Sequence, residues 1–176
     1  IGHAQHELDP IYKKVINSLD IPEIGKQLGI QKPRKLQSMH IFKQPNIGGE
    51  VGLHQDSTFL YTSPKSCIGF WVALEDANIE NGCLQAITGG HTIPLKKRFK
   101  LAKSGGTEFE ILDESSWPDT PLDLLEVKAG TLIILHGQLP HYSAENTSNK
   151  SRQAFSIHLV DDNCHYAEDN WLQSSI

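Results

Sequence analysis

Beyond residue 35 the chain is a succession of short apolar or alternating runs, each about as long as one β-strand. Glycine, proline, asparagine or aspartate separates most of these runs, and such residues favour turns. Many short strands joined by turns are typical of an antiparallel sandwich or barrel. We therefore predict a mainly β fold, a jelly roll or double-stranded β-helix. The predicted strands cover residues 36–42, 68–74, 84–87, 124–127, 132–135 and 154–160.

Two helices are predicted ahead of these strands. Asp9 followed by Pro10 has the form of an N-cap and a first-turn proline, and apolar residues follow at spacings of three and four. A second short helix is expected to start at Asp20 and to end near Gly29. The 176 residues suffice for one buried core. We therefore predict a single domain over residues 1–176, with the helices packed on one outer face of the β-structure.

Composition and net charge limit the kinds of partner and the cellular compartment that we expect. A net charge of -5 gives no reason to expect nucleic acid, and no apolar run approaches the roughly 20 residues of a membrane helix. Three cysteines without a C-x-x-C pair fit free thiols in a reducing compartment, which favours the cytoplasm without excluding the peroxisome. We expect a monomer that acts on a small molecule. Because the chain starts at Ile1 instead of methionine, we expect a fragment that lacks the native N-terminus.

The nine histidines point to metal chemistry, and His54-Gln55-Asp56 is the central motif. On an extended segment residues i and i+2 lie on one face, so His54 and Asp56 can offer ligand atoms to the same ion. With a second histidine they form the two-histidine, one-carboxylate set that binds iron(II) and leaves open positions. Alone, the motif is a weak signal, because a solvated surface turn produces the same pattern.

Two downstream histidines compete for the third ligand position. His136 ends a predicted buried strand and could simply be a core histidine, whereas a hairpin turning near Asn146 would place His141 across from Arg152. Arginine is the planar, bidentate partner that the distal carboxylate of 2-oxoglutarate requires. We therefore favour His141. Ser143 shares strand parity with His141 and could add a hydroxyl donor.

A series of short motifs extends over nearly the whole chain. They are QSMHIFKQP at 37–45, GGEV at 48–51, HQD at 54–56, FLYT at 59–62, WVALEDA at 71–77, ENGCL at 80–84, GGHT at 89–92, HG at 136–137 and SRQA at 151–154. In their order and spacing they resemble the phytanoyl-CoA dioxygenase family. The resemblance implies a cupin-like jelly roll with iron(II), 2-oxoglutarate and dioxygen as reactants. It also implies that oxidative decarboxylation of 2-oxoglutarate to succinate is coupled to hydroxylation of a substrate.

The resemblance also implies roles for particular residues. It makes His54, Asp56 and His141 the iron ligands, and Arg152 the residue that binds the distal carboxylate of 2-oxoglutarate, with Ser143 near it.

Met39 and Trp71 match positions that line the co-substrate pocket, although plain core packing is the alternative for both. Asp56 keeps the carboxylate that related halogenases lose, so halogenation is not expected.

The substrate stays open at this point. The family name suggests an acyl-CoA or a lipid-like carboxylic derivative, and Lys96, Lys97 and Arg98 could contact CoA phosphates; a solvated charged face is the alternative. Residues 98–121 form a long polar stretch, which we interpret as a functional lid or a disordered loop. Two other functions stay open: a metal-binding jelly roll with isomerase or hydrolase chemistry, and a binding module with a silent metal site.

Overall fold

Two four-stranded antiparallel sheets pack against each other in the computed structural model, which describes residues 2–173. The strands of these sheets are β1 (Pro33–Lys43), β2 (Val51–His54), β4 (Ile68–Ala73), β5 (Leu84–Ala86), β8 (Asp123–Leu125), β9 (Leu132–His136), β10 (His141–Ser143) and β11 (Arg152–Asp161). The first sheet has the order β1-β11-β4-β9 and the second the order β2-β10-β5-β8. The short pairs β3 (Thr62–Ser63) with β12 (His165–Tyr166) and β6 (Lys97–Leu101) with β7 (Thr107–Ile111) complete the β-structure. The predicted mainly β jelly roll is confirmed.

Three helices precede the strands: α1 (Gln5–Leu8), α2 (Pro10–Ser18) and α3 (Ile21–Gln27). The predicted cap of α2 is present, because the Asp9 side chain accepts hydrogen bonds from the amides of Ile11 and Tyr12. Asp20 precedes α3 in the left-handed region, with φ at 48°, and its side chain makes no capping bond. No helix in the described residues is long and apolar enough to cross a bilayer.

Alternation along β11 separates the two faces of the first sheet. Phe155, Ile157 and Leu159 pack with Ile16 of α2 and Ile21 of α3, so the helices cover the outer face as predicted. On the opposite parity, Ala154 belongs to the core between the two sheets. Its neighbours there include Trp71, Ala73, Leu84 and Leu135. The side chains of Arg152, Ser156 and His158 share this inward parity, which directs polar groups into the interior.

The stretch 98–121 was predicted to be a functional lid or a disordered loop. Its first part is ordered, because β6 and β7 pair as a hairpin with Phe99 opposite Phe109, whereas residues 112–121 form no helix or strand; the role as a lid stays a prediction. The prediction that residues 132–135 form a buried strand is wrong. They belong to β9 at the edge of the first sheet, where Leu132 and Ile134 are exposed and only Leu135 is buried. Leu132 and Ile134 share one face of β9, and an antiparallel sheet can leave one face to solvent.

Candidate active site

His54, Asp56 and His141 each offer a ligand atom, and these atoms all lie within 4.8 Å of one another. His54 ends β2 and pairs directly with His141 at the start of β10. Gln55 keeps an extended backbone, with φ at -116° and ψ at 134°, which brings Asp56 to the same side as His54. The predicted parity of the motif therefore holds, and tertiary pairing adds the third group.

The buried side chain of Gln55 fixes this motif to the next loops. Its amide nitrogen donates to backbone carbonyls, of which the Gln138 oxygen at 2.9 Å is the nearest. Its amide oxygen accepts from the backbone amide of Lys96 at 3.1 Å. The middle residue of the motif points away from the metal-binding face and is fully hydrogen-bonded, so it locks the orientation of its two neighbours.

Hydrogen bonds set the tautomer of both histidines. Nδ1 of His54 lies 2.8 Å from the Gly52 carbonyl, and Nδ1 of His141 lies 3.0 Å from the Leu139 carbonyl. A carbonyl only accepts, so each Nδ1 carries the proton and each neutral ring presents a bare Nε2. These Nε2 atoms lie 3.7 and 3.6 Å from Oδ1 of Asp56. Two lone pairs and an anionic oxygen thus face one point, an arrangement that a cation stabilises.

The protonation equilibria agree with a cation site. Burial opposes ionisation of Asp56, but the charges of His141 and His158 outweigh it and hold the pKa of this carboxyl well below its usual value. Burial lowers the pKa of His141, and the charge of Asp56 compensates only in part. For His54, hydrogen bonding and attraction to Asp56 exceed the effect of burial and raise the pKa. Asp56 is therefore ionised at neutral pH.

A third histidine, which the sequence analysis did not single out, contacts the same carboxylate. His158 is buried in β11, and its Nε2 lies 3.2 Å from Oδ2 of Asp56. Gly69 leaves the space for this contact, since a Cβ there would lie 3.0 Å from Oδ2 and 3.2 Å from the His158 ring. Strand parity was the signal that could have identified His158, because this residue lies six positions after Arg152 on the same face of one strand.

Arg152 lies in a cavity of about 250 Å³ that also contains the three candidate ligands. Arg152 is 1% exposed, and its Nη2 donates to the Gly82 carbonyl at 2.8 Å and to the Ser143 hydroxyl at 2.9 Å. Nε and Nη1 are buried without a hydrogen-bond partner, and no acidic side chain in the described residues pairs with this arginine. Burial lowers the pKa of Arg152 to about 10, so the group stays charged at neutral pH. A buried, unpaired guanidinium requires an anion.

Met39 and Trp71 line this cavity as well. The carbon at the centre of the Arg152 guanidinium lies 5.4 Å from the centre of the Trp71 ring. Trp71 also belongs to the core cluster between the sheets, so this residue both lines the cavity and packs in the core.

The route by which Arg152 reaches the site differs from the prediction. β10 and β11 do not form a hairpin: β10 pairs with β2 and β5 in the second sheet, whereas β11 pairs with β1 and β4 in the first. Arg152 and Ser143 therefore meet across the gap between the sheets, after the chain has crossed from one sheet to the other. The interpretation of His136 as a core histidine is also wrong, since this residue is exposed at the end of β9.

The basic run that was considered for CoA phosphates is largely paired with acids. Lys96 contacts Asp113 at 2.5 Å. Arg98 pairs with Glu110 and Asp169, and Lys100 contacts both of these acids. Internal acids therefore neutralise most of the charge that a polyphosphate would need.

Sequence comparisons identify known proteins that this chain resembles. The family model described as phytanoyl-CoA dioxygenase (PhyH) matches residues 1–154. The phytanoyl-CoA dioxygenase of Arabidopsis thaliana is 48% identical over 98% of this chain and 61% of its own length. The phytanoyl-CoA dioxygenase domain-containing protein 1 of Bos taurus is 44% identical over 98% of this chain and 61% of its own length. The chain thus spans about three fifths of the curated relatives that it matches.

Comparison with solved structures supports the fold. The non-heme alpha-ketoglutarate-dependent carbocyclase SnoK from nogalamycin biosynthesis aligns with a TM-score of 0.72 at 23% identity, over 92% of this chain and 63% of that one. The match of the family model to most of the chain, together with the identity to these relatives, establishes that the chain belongs to the phytanoyl-CoA dioxygenase family.

Proposed function

We propose that this chain is the catalytic domain of an iron(II)- and 2-oxoglutarate-dependent dioxygenase. It would couple oxidative decarboxylation of 2-oxoglutarate to succinate with hydroxylation of a small-molecule substrate. The observation that carries the proposal is the pairing of two features in one cavity. A two-histidine, one-carboxylate set lies at one place, and a buried arginine without an acidic partner lies at another. Membership in the phytanoyl-CoA dioxygenase family supports this reading.

The donor set fits iron(II) with positions left for co-substrate and oxygen. His54 and His141 would bind through Nε2, because Nδ1 of each ring is committed to a carbonyl. Asp56 would bind through Oδ1, the oxygen that both rings face. Iron bound there would supply the activation of dioxygen that no side chain can provide.

Arg152 fits the distal carboxylate of 2-oxoglutarate. Its Nε and Nη1 are the unused donors, and Nη2 is held by Gly82 and Ser143, so the planar group is oriented before the co-substrate arrives. Ser143 acts here through Arg152, since its own hydroxyl donates to the Gly82 carbonyl at 2.8 Å. Met39 and Trp71 supply apolar walls that exclude water from this pair of charges.

The test starts without oxygen. Iron(II) and 2-oxoglutarate are added to the full-length protein under argon, and the weak visible absorption band of their chelate is recorded. Oxygen is then admitted and succinate is measured. We expect both signals; a folded protein that gives neither would refute the proposal.

Two other functions make different predictions. An isomerase or hydrolase built on the same metal site has no use for a dicarboxylate anchor, so Arg152→Ala would leave its activity largely intact. A silent binding module would bind iron without forming succinate. The matched control is Arg34→Ala, because Arg34 lies partly exposed on β1 and pairs with Asp162. The unpaired Arg152 favours the oxygenase over both alternatives.

We also propose that residues 1–176 act as one domain, as a monomer, in the cytoplasm. Cys67, Cys83 and Cys164 are free thiols, which supports a reducing compartment. The core clusters join both sheets and the helices, which supports a single unit. Gel filtration and localisation of the full-length protein test these points.

A further inference from the structure

A second cavity, of about 270 Å³, lies beside the candidate metal groups. It shares Met39, His54, Asp56 and His158 with the cavity of Arg152, so the two cavities adjoin at these four residues. A molecule in the second cavity would therefore lie close to the same metal site as the co-substrate.

Aromatic rings form most of the remaining wall. The ring of Phe99 lies 5.8 Å from that of Phe59 and 5.8 Å from that of Trp171, and Phe59 also approaches His54 at 6.1 Å. The indole nitrogen of Trp171 donates to the Phe59 carbonyl at 2.9 Å, so its one polar atom is already used. Leu60 completes the apolar surface. Walls of this kind favour flat or compact apolar groups through ring stacking and edge contacts.

Some polar atoms of the second cavity are already engaged, whereas Nδ1 of His158 is buried without a hydrogen-bond partner. Nδ1 of His3 lies 3.0 Å from the Gln37 amide nitrogen, and His158 contacts Asp56. No lysine, arginine or glutamate in the described residues lines this space. A negatively charged ligand body would find no lysine or arginine inside the cavity.

One cation, Lys97, lies beyond the residues that line the cavity, at the outer edge of the same aromatic cluster. Nζ of Lys97 lies 4.2 Å from the centre of the Phe109 ring, which packs on Phe99 at 4.9 Å and Phe59 at 6.4 Å. Lys96, Arg98 and Lys100 pair with acids, but no ion pair among the described residues involves Lys97. Its charge also reaches His54, whose pKa it lowers slightly against the larger effects of burial and Asp56.

We propose that the second cavity receives the primary substrate, a compact aryl-bearing molecule whose single carboxylate lies at Lys97. The inference rests on the proposed function and names the substrate class of that site. A volume of about 270 Å³ is slightly below the roughly 300–1,000 Å³ of ligand pockets, so it suits one ring with a short chain. An acyl-CoA is disfavoured, because one unpaired lysine cannot neutralise a polyphosphate.

The experiment uses the full-length protein loaded with manganese(II) and 2-oxoglutarate under argon. Three probes are titrated: 4-phenylbutyrate, 4-phenylbutan-1-ol and benzoyl-CoA. Bound manganese(II) broadens the proton NMR lines of a molecule close to it, which reports position without any turnover. We expect strong broadening of the phenyl protons of 4-phenylbutyrate, weaker affinity for the alcohol and no saturable broadening of benzoyl-CoA.

Two variants locate the probe. Phe99→Ala should weaken binding of both phenyl probes about tenfold, since a ring contact is lost. Lys97→Gln should weaken 4-phenylbutyrate about threefold, the size of a partly exposed charge contact, and leave the alcohol unchanged. If circular dichroism shows that Phe99→Ala is unfolded, Phe99→Leu replaces it. Phe42→Ala is the control, because Phe42 is exposed on β1 and lines neither cavity.

The outcomes separate the two proposals. A protein that binds no manganese(II) in its electron paramagnetic resonance spectrum refutes the proposed metal site, and this inference with it. Bound manganese(II) without broadening of either phenyl probe overturns the substrate class alone. Broadening that Phe99→Ala and Lys97→Gln leave unchanged also overturns it, as does tighter binding of benzoyl-CoA than of 4-phenylbutyrate.

Discussion

Nε2 of His158 lies 3.2 Å from Oδ2 of Asp56, the carboxylate oxygen that the two candidate ligand histidines do not face. His54 and His141 both face Oδ1, at 3.7 and 3.6 Å. The two oxygens of one carboxylate thus have separate neighbours. Oδ1 is the oxygen that faces the two rings, and Oδ2 is the one that lies beside His158.

Replacing His158 should therefore weaken metal binding without removing a ligand. We expect His158→Phe to lower manganese(II) affinity about 10- to 100-fold, the usual effect of losing a group that orients a metal ligand. Titration followed by electron paramagnetic resonance measures the affinity. His136→Phe is the control, because His136 is exposed at the end of β9. Equal affinity in both variants would show that Asp56 needs no support from His158.

Gly69 provides the room for this contact, and a methyl group there should disturb it. A Cβ at Gly69 would lie 3.0 Å from Oδ2 of Asp56 and 3.2 Å from the His158 ring. We expect Gly69→Ala to reduce the free energy of unfolding by about 1–3 kcal/mol, as overpacking does, and to weaken manganese(II) binding. Urea unfolding and metal titration measure the two effects. Gly49→Ala is the control, since a Cβ at Gly49 meets no atom within 4 Å.

The planar guanidinium of Arg152, beyond its charge, should determine the affinity for 2-oxoglutarate. Arg152→Lys keeps a cation but loses the fork of donors, so we expect 2-oxoglutarate to bind about 10- to 100-fold more weakly. Manganese(II) affinity in the absence of 2-oxoglutarate should not change, because Arg152 is not among the candidate ligands. Calorimetric titration of the manganese(II) protein separates these two affinities. Arg34→Lys serves as the matched control; unchanged 2-oxoglutarate binding in Arg152→Lys would contradict the assignment.

Lys43 should make stability depend on pH in the alkaline range. Its ammonium is buried in β1, donates to the carbonyls of Ser143 and Ala144, and lies near the charge of Arg152. Burial, followed by the charge of Arg152, lowers its pKa from 10.5 to about 8. Between these values the unfolded chain binds more protons than the folded one, so this group makes the free energy of unfolding rise with pH.

Lys43→Met should remove that rise. Urea unfolding at several pH values from 7 to 10.5 measures the slope in the wild type and in the variant. We expect the free energy of unfolding of the wild type to increase relative to that of Lys43→Met across the range from 8 to 10.5, and the difference to be constant below 8. Lys13→Met controls for a lost surface charge, because Lys13 is exposed on α2. Parallel curves for wild type and Lys43→Met would show that the lysine is not perturbed.

The helices and long strands follow from local rules, and the sequence predicts them well. Asp9 caps α2 because its short polar side chain accepts hydrogen bonds from the free amides of the first helical turn. Strand parity also placed His54 beside Asp56 correctly, because a single residue separates them on an extended segment. The hairpin of β6 and β7 escaped prediction because its sequence is polar, and its pairing depends on Phe99 meeting Phe109.

By itself, then, the sequence determined the period of its strands, the capped helix and the pair of groups on one extended segment. Only the tertiary structure decided that Arg152 meets Ser143 from the opposite sheet, and that His158 lies against Asp56. Parity assigns a side chain to one face of its strand. Which strand lies across from that face depends on register and sheet order, and these are fixed by packing between residues far apart in the chain.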